Sequence, residues 1–265
     1  MRSVLITGAY GGMGRATAQR LRAQGYRVFA LDCRVEEPQE GIVPVQADLC
    51  DEQSVCAAYE AVRAQTDSLC AIVHFAGIYC LDSLLEMDCA AYDRIFDINV
   101  RGAFLVNRTF FPLLEKGSRI LLTTSELAPL DPLPFTGIYA VTKAALDKYA
   151  YALRMELQLL DISVSVLRAG AVQTDMLGAS TNALARFCEK TQLYPCNAKR
   201  FSQIVERVEA RCVPPARLAK KVTRILKKKR PAFAYAINRN PLLCLLNLLP
   251  RRMQLWVIRK ILKTK

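Results

Sequence analysis

Tyr139 and Lys143 stand four residues apart in a stretch with helical patterning, which puts a phenol and an ammonium on one helix face about a turn apart. A free phenol titrates near pH 10, too high for a good base at neutral pH. A neighbouring cation favours the phenolate and lowers that value, so the pair can give or take the proton of a hydroxyl. The spacing alone is weak, because it arises by chance on many helices as a surface pair with the tyrosine packed inward. It gains weight from Ser125, which lies just past an apolar, strand-like run, where its hydroxyl can bond a substrate oxygen. Asn99 lies in a long helical stretch, where its amide can bend the helix locally and hold a water.

A second group of residues has the chemistry of an anion cradle. Thr7-Gly8-Ala9-Tyr10-Gly11-Gly12-Met13-Gly14 turns from the first apolar strand into an amphipathic helix. Glycines at 8, 12 and 14 remove the side chains that would hold a backbone away from a pyrophosphate. The helix N-terminus then offers free N–H groups and a positive dipole. Such a turn can be only a tight turn, but its place between strand and helix leads us to expect Gly8, Tyr10, Gly12, Met13 and Gly14 against a dinucleotide.

Asp32 ends the second strand. A carboxylate there accepts from both adenosine ribose hydroxyls and repels a 2′-phosphate, so NAD(H) is expected ahead of NADP(H). A solvated turn acid is the plainer alternative, and Arg34 keeps NADP(H) open if Asp32 points away. Asp48, with Leu49 beside it, follows the third strand; it either accepts from the adenine amino group or caps the helix that starts near residue 51.

These residues need a frame, and the alternation of short apolar runs with helical stretches supplies one. Strands are expected at residues 4–6, 28–32, 42–46, 69–75, 119–124 and 162–167, with helices at about 12–24, 51–65, 88–115 and 137–160. Strands alternating with helices of ten or more residues give a parallel sheet covered on both faces. Right-handed crossovers make it one doubly wound Rossmann domain, over residues 1–236, with a basic helical extension at 237–265. The residues with chemistry then fall at the carboxyl ends of the strands or on the helices that follow, where such sheets bind ligands.

Taken together, Thr7-Gly-x-x-x-Gly12-x-Gly14, Asp48, Ala76-Gly77, Asn99, Ser125, Tyr139-x-x-x-Lys143 and Gly170-x-Val172-x-Thr174 resemble the short-chain dehydrogenase/reductase family, in order, from residue 1 to about 236. The resemblance implies roles. Tyr139 would exchange the hydroxyl proton while hydride moves to or from the nicotinamide. Lys143 would bind the nicotinamide ribose and lower the phenol's pKa, Ser125 would hold the substrate oxygen, and Asn99 a relay water. Ala76, Gly77, Val172 and Thr174 would contact the cofactor, the last two at the carboxamide. No metal is needed, and a homodimer or homotetramer through the long helices is implied. Two positions depart from the pattern: His74-Phe75 stand where two asparagines are usual, and Ala169 replaces a proline. His74 reads best as a satisfied strand-end histidine rather than a catalyst.

Substrate signals come from the second half. Residues 175–212 read as a variable lid mixing Met176, Leu177, Leu184, Phe187, Leu193, Tyr194 and Phe201 with basic residues. These either roof an apolar substrate or only pack the lid down. Charge is uneven: the net +13 arises from 37 Lys/Arg and 24 Asp/Glu, and no acid follows residue 214. In that basic tail, Leu242–Leu249 and Met253–Leu262 are too short to span a bilayer. With one tryptophan and a Lys/Arg rim, they resemble an interfacial anchor on anionic lipid. A helix pair packed on the body is the alternative. The tail also resembles those of hydroxysteroid and retinol dehydrogenases, so a steroid or lipid alcohol is the leading substrate. A 3-oxoacyl reductase and a non-catalytic lipid-binding module are the rivals.

The ten scattered cysteines suit reduced thiols in a cytoplasmic protein, and a single histidine argues against a zinc site. Nothing at the start reads as a leader, and no aromatic-basic interleaving points to nucleic acid.

Overall fold

The computed structural model describes residues 1–209 and 211–263, without the side chains of residues 175–182 and 206–209. Seven parallel strands form one sheet in the order β3-β2-β1-β4-β5-β6-β7. They are β1 (Ser3–Thr7), β2 (Arg27–Asp32), β3 (Ile42–Gln46), β4 (Leu69–His74), β5 (Leu114–Ser125), β6 (Ser163–Ala169) and β7 (Ala234–Ile237). Every residue of β1 is buried, as a central strand covered on both faces requires. Its side chains alternate between two cores. Val4 and Ile6 pack with Ala18 and Leu21 of α1 (Gly12–Arg22) and with Leu218 and Val222 of α8 (Pro215–Leu226). Leu5 meets Val55 of α2 (Glu52–Arg63), Val106 of α4 (Gly102–Phe110) and Leu146 of α5 (Gly137–Leu157). The order of strands reverses between β1 and β4, and the crevice at their carboxyl ends is where such a sheet takes a ligand.

The single long helix expected at 88–115 is broken. It comprises α3 (Cys89–Phe96), a π-helical turn at Asp97–Arg101, and α4. A short 3-10 turn with Pro112 follows, and β5 already begins at Leu114. The apolar run Phe110 to Leu114 has no period that separates helix from strand, so its pattern alone places the boundary too late. Asp48 does not cap α2: Asp51 does, accepting from Gln53 N at 2.9 Å, while Asp48 Oδ1 accepts from Cys50 N at 2.9 Å.

The region expected as a lid forms α6 (Asp175–Lys190) and α7 (Pro195–Glu209). Leu184, Phe187, Ala198 and Phe201 make a third core with Leu81 and Leu262. Met176 and Leu177 have side chains outside the described residues. The tail folds as α9 (Pro241–Leu248) and α10 (Arg251–Leu262). One side of it is fastened to the body: Leu262 is buried, Asn197 donates to Leu262 O at 2.7 Å, and Asp131 takes Arg251 at 3.1 Å. Among the described residues no helix is long and apolar enough to cross a membrane.

Candidate active site

The crevice begins at Gly8, whose φ of +64° suits glycine. A Cβ there would lie 2.6 Å from Ala76 N, so the end of β1 passes that of β4 only without a side chain. Gly12 faces Thr174 in the same way, with a Cβ brought to 2.7 Å from its Cγ2. The space these glycines leave opens into a cavity of about 520 Å³. Gly8, Gly12, Met13 and Gly14 line one wall, Asp32, Asp48 and Leu49 another, and Ala76, Gly77 and Thr174 the rest. This shape and lining fit a dinucleotide: a bare backbone at a helix N-terminus for the phosphates and a carboxylate at the end of β2 for a ribose.

Tyr10 is the exception among the expected contacts. Its N–H donates to Asp32 Oδ2 at 3.1 Å, holding that carboxylate, but its side chain borders a separate hollow with Arg15 and Glu36. Arg34 is exposed and outside the cavity lining, whereas Cys33 lies within it. Arg15, the other nearby cation, is paired with Glu36.

Beyond Phe75, Tyr79 and Met13 lies a second cavity of about 230 Å³ that shares those walls and Thr174. Ser125 at the end of β5 and Tyr139 and Lys143 on α5 meet there. Ser125 hydrogen-bonds the Tyr139 phenol, and Tyr79 stacks on the phenol ring at 4.7 Å between centroids. Lys143 Nζ sits 5.7 Å from the centre of that ring and donates to Thr123 O at 3.4 Å. Val172 lines the same cavity. Phe201 does too, whereas Leu184 and Phe187 pack inward and Leu193 is exposed, so the lid residues divide between roof and packing.

The pKa values depart from the expectation of a lowered phenol. Burial pushes Tyr139 up to about 12, against the opposing pull of the Ser125 bond. Burial also pushes Lys143 down to about 8. Within the chain alone, desolvation of the phenol outweighs the help of the Ser125 bond.

Asn99 is buried in the π-helical turn. Its Oδ1 accepts from Ile78 N at 2.8 Å, and its Nδ2 donates to Ile78 O at 3.0 Å and to Thr142 Oγ1 at 3.1 Å. The side chain clips the segment after β4 onto α5. The local bend expected at Asn99 is present as the π turn. His74 is buried and bonded to Asn107 Oδ1 at 2.9 Å, with burial driving its pKa down to about 4, so it is a neutral core histidine. Sequence reasoning missed Glu126, Asn240 and Leu243, which also line the second cavity. Only the position of Glu126 directly after Ser125 could have pointed to it.

A glycine cradle at a switch point, beside a buried serine and lysine and a half-buried tyrosine, defines a dinucleotide-dependent type of site on a doubly wound sheet. A model of the family described as short chain dehydrogenase matches residues 2–185, and the chain belongs to that family. The NADPH-dependent 1-acyldihydroxyacetone phosphate reductase of Schizosaccharomyces pombe is 30% identical over 190 residues, covering 68% of this chain and 64% of that protein. Estradiol 17-beta-dehydrogenase 2 of Mus musculus is 30% identical over 192 residues, covering 67% of this chain and 50% of that protein. The chain thus matches one-half to about two-thirds of the length of these relatives. A short chain dehydrogenase family protein from Francisella tularensis has the same fold, with a TM-score of 0.75 at 21% identity, over 89% of this chain and 97% of the other. The 3-ketoacyl-(acyl-carrier-protein) reductase from Brucella melitensis, complexed with NADH, matches with a TM-score of 0.72 at 23% identity, over 89% and 96% of the two chains.

Proposed function

We propose that this chain is an NAD(H)-dependent oxidoreductase that interconverts a secondary alcohol and a ketone on an apolar substrate, foremost a hydroxysteroid. The meeting of Ser125, Tyr139 and Lys143 in a cavity continuous with the glycine cradle carries this reading. The nicotinamide ring supplies or accepts the hydride when bound. Ser125 holds the substrate oxygen, and Tyr139 gives it a proton on reduction or takes one on oxidation. A phenol near 12 keeps its proton at neutral pH, so populating the phenolate that oxidation needs relies on added positive charge beside the ring, to which Lys143 contributes. Gly8, Gly12, Met13, Gly14, Asp48, Leu49, Ala76, Gly77, Val172 and Thr174 would hold the cofactor, with Lys143 on its ribose.

Asp32 inside the cavity, with Arg34 outside it and Arg15 paired, supports NAD(H). The NADPH-dependent relative in fission yeast keeps NADP(H) as the alternative. The apolar cavity walls and the estradiol dehydrogenase relative support a steroid. A 3-oxoacyl thioester is the second reading, favoured by the basic face of α8, where Arg217, Lys220, Lys221, Arg224 and Lys228 ring a surface hollow that would suit an acidic carrier.

We further place the exposed side of α9 and α10 against anionic lipid, which puts the protein at a membrane periphery. The ten scattered cysteines, with no C-x-x-C pair among them, support a cytoplasmic setting. Exposed Phe104 on α4 and Phe111 just after it, with Tyr151 and Met155 on α5, support self-association through those helices.

Initial rates with NADH and NADPH over ketosteroids, retinal and a 3-oxoacyl thioester test the reading. NADH turnover confined to ketosteroids is expected. Faster NADPH turnover of the thioester would replace it with the second reading.

A further inference from the structure

Glu126 is a carboxylate without a part in the chemistry above, although it follows Ser125 and lines the same cavity. It is 8% exposed, among walls that include Leu127, Leu133, Phe201, Val205 and Leu243. Its place is fixed at both ends. The Glu126 N–H donates to Ala169 O at 3.0 Å, continuing the pairing of β5 with β6. Its Oε2 accepts from Asn240 N at 2.5 Å, and Asn240 in turn caps α9 by accepting from Leu242 N at 2.9 Å.

The other oxygen, Oε1, lies beside Gly170, close enough that a Cβ there would sit 3.0 Å away. Among the described residues it takes no hydrogen bond, and Glu126 forms no ion pair. Arg239 acts on it only through space, and burial raises its pKa. In so apolar a lining, any donor that reaches this second oxygen gains a charge-assisted hydrogen bond.

We propose that Glu126 Oε1 receives a hydroxyl of the substrate, distinct from the oxygen held by Ser125 and Tyr139, and so selects apolar hydroxyketones and diols. This rests on the alcohol–ketone reading of the same cavity. A neutral hydroxyl fits better than an ammonium, because Lys143 and Arg239 already place positive charge around the site. The apolar walls ask for an apolar skeleton, and Glu126 gives it one polar end.

The test uses pairs of ketosteroids, and of smaller alicyclic ketones, that differ only by a second hydroxyl. For wild type, kcat/KM should favour the hydroxylated member by roughly 10- to 100-fold, the scale of a hydrogen bond to a charged group. Glu126→Leu should erase that preference while leaving the deoxy ketone nearly unchanged, and Glu126→Gln should retain part of it. A second reading comes from binding alone: dissociation constants of each pair with cofactor, in a Tyr139→Phe background whose turnover is nearly lost. Hydroxyl discrimination in binding without turnover of any ketone would uphold the Glu126 site and count against the dehydrogenase reading. Equal losses for both members of a pair would assign Glu126 only to holding Asn240, and overturn the proposal. Absence of hydroxyl preference in wild type, by rate or by binding, would do the same, even where a plain ketone is reduced.

Discussion

Tyr139 carries the heaviest demand of any single residue. Replacing it with Phe removes the proton donor but keeps the ring that Tyr79 stacks on. Turnover should fall by roughly 10²- to 10⁴-fold, while NADH binding, measured by fluorescence, stays close to wild type. A non-catalytic binding module would show neither the turnover nor its loss. His74 makes a separate prediction about stability. It titrates at about 4 in the fold against 6.5 for the free side chain, so its neutral form is the one the fold favours. The stability this carries is complete above pH 6.5 and drains as the pH falls through about 4, by on the order of 3 kcal/mol. His74→Gln cannot titrate, so urea unfolding should show a shallower decline for the variant between those pH values. Parallel declines would exonerate His74. The residue types and spacing made Ser125, Tyr139, Lys143 and the glycines legible, because their chemistry is local. Burial is not local: the direction of the Tyr139 shift, the turning of Tyr10 away from the cavity, and the single bonded oxygen of Glu126 all depend on neighbours brought from distant segments.

The same contrast holds for elements. β3 was legible to the residue, since short β-branched or apolar segments bounded by turn residues have few alternatives. The π-helical turn at Asp97–Arg101 is a different case. Its sequence, DINVR, carries no helix breaker, and the turn is secured by Asn99 bonding to Ile78 and Thr142 across the fold. Asn99→Ala would leave the half-buried N–H and carbonyl of Ile78 without these partners. Each such group costs about 1–3 kcal/mol, so chemical unfolding should register a loss of several kcal/mol at most. Because Ile78 leads into Tyr79, which stacks on the phenol, turnover should drop further than stability at a temperature where the variant is still folded. Asn99→Ala with unchanged turnover would show that this clip does not position the site.

On the scale of the whole molecule, the tail bears on both readings that the sequence left open. Leu262, Asn247 and Arg251 tie it to the body, so part of it is packing. Yet Leu242, Leu245, Leu248, Leu255 and Trp256 remain exposed, Leu248 by 80% and Trp256 by 61%. Scattered apolar side chains need no explanation, but this set lies on two consecutive short helices in a tail without an acid. Arg252, Arg259, Lys260 and Lys263 are exposed on or just after α10, and Lys260 stacks over the Trp256 ring at 4.9 Å. Near an anionic surface each free Lys or Arg contributes on the order of 1 kcal/mol, attenuated by salt over a distance of about 10 Å. The apolar side chains add a component that salt does not screen. Sedimentation with vesicles containing phosphatidylserine should therefore pull down the wild type, less at high salt, and neutral vesicles should retain little. Deleting residues 240–265 would confound the result, since it removes Leu262 from a core and Asn240 from Glu126. Leu245→Glu with Trp256→Glu changes only exposed positions, so the melting temperature should hold while vesicle binding falls at least tenfold. Undiminished binding by that double variant would leave α9 and α10 as a packed cap with a solvated basic face.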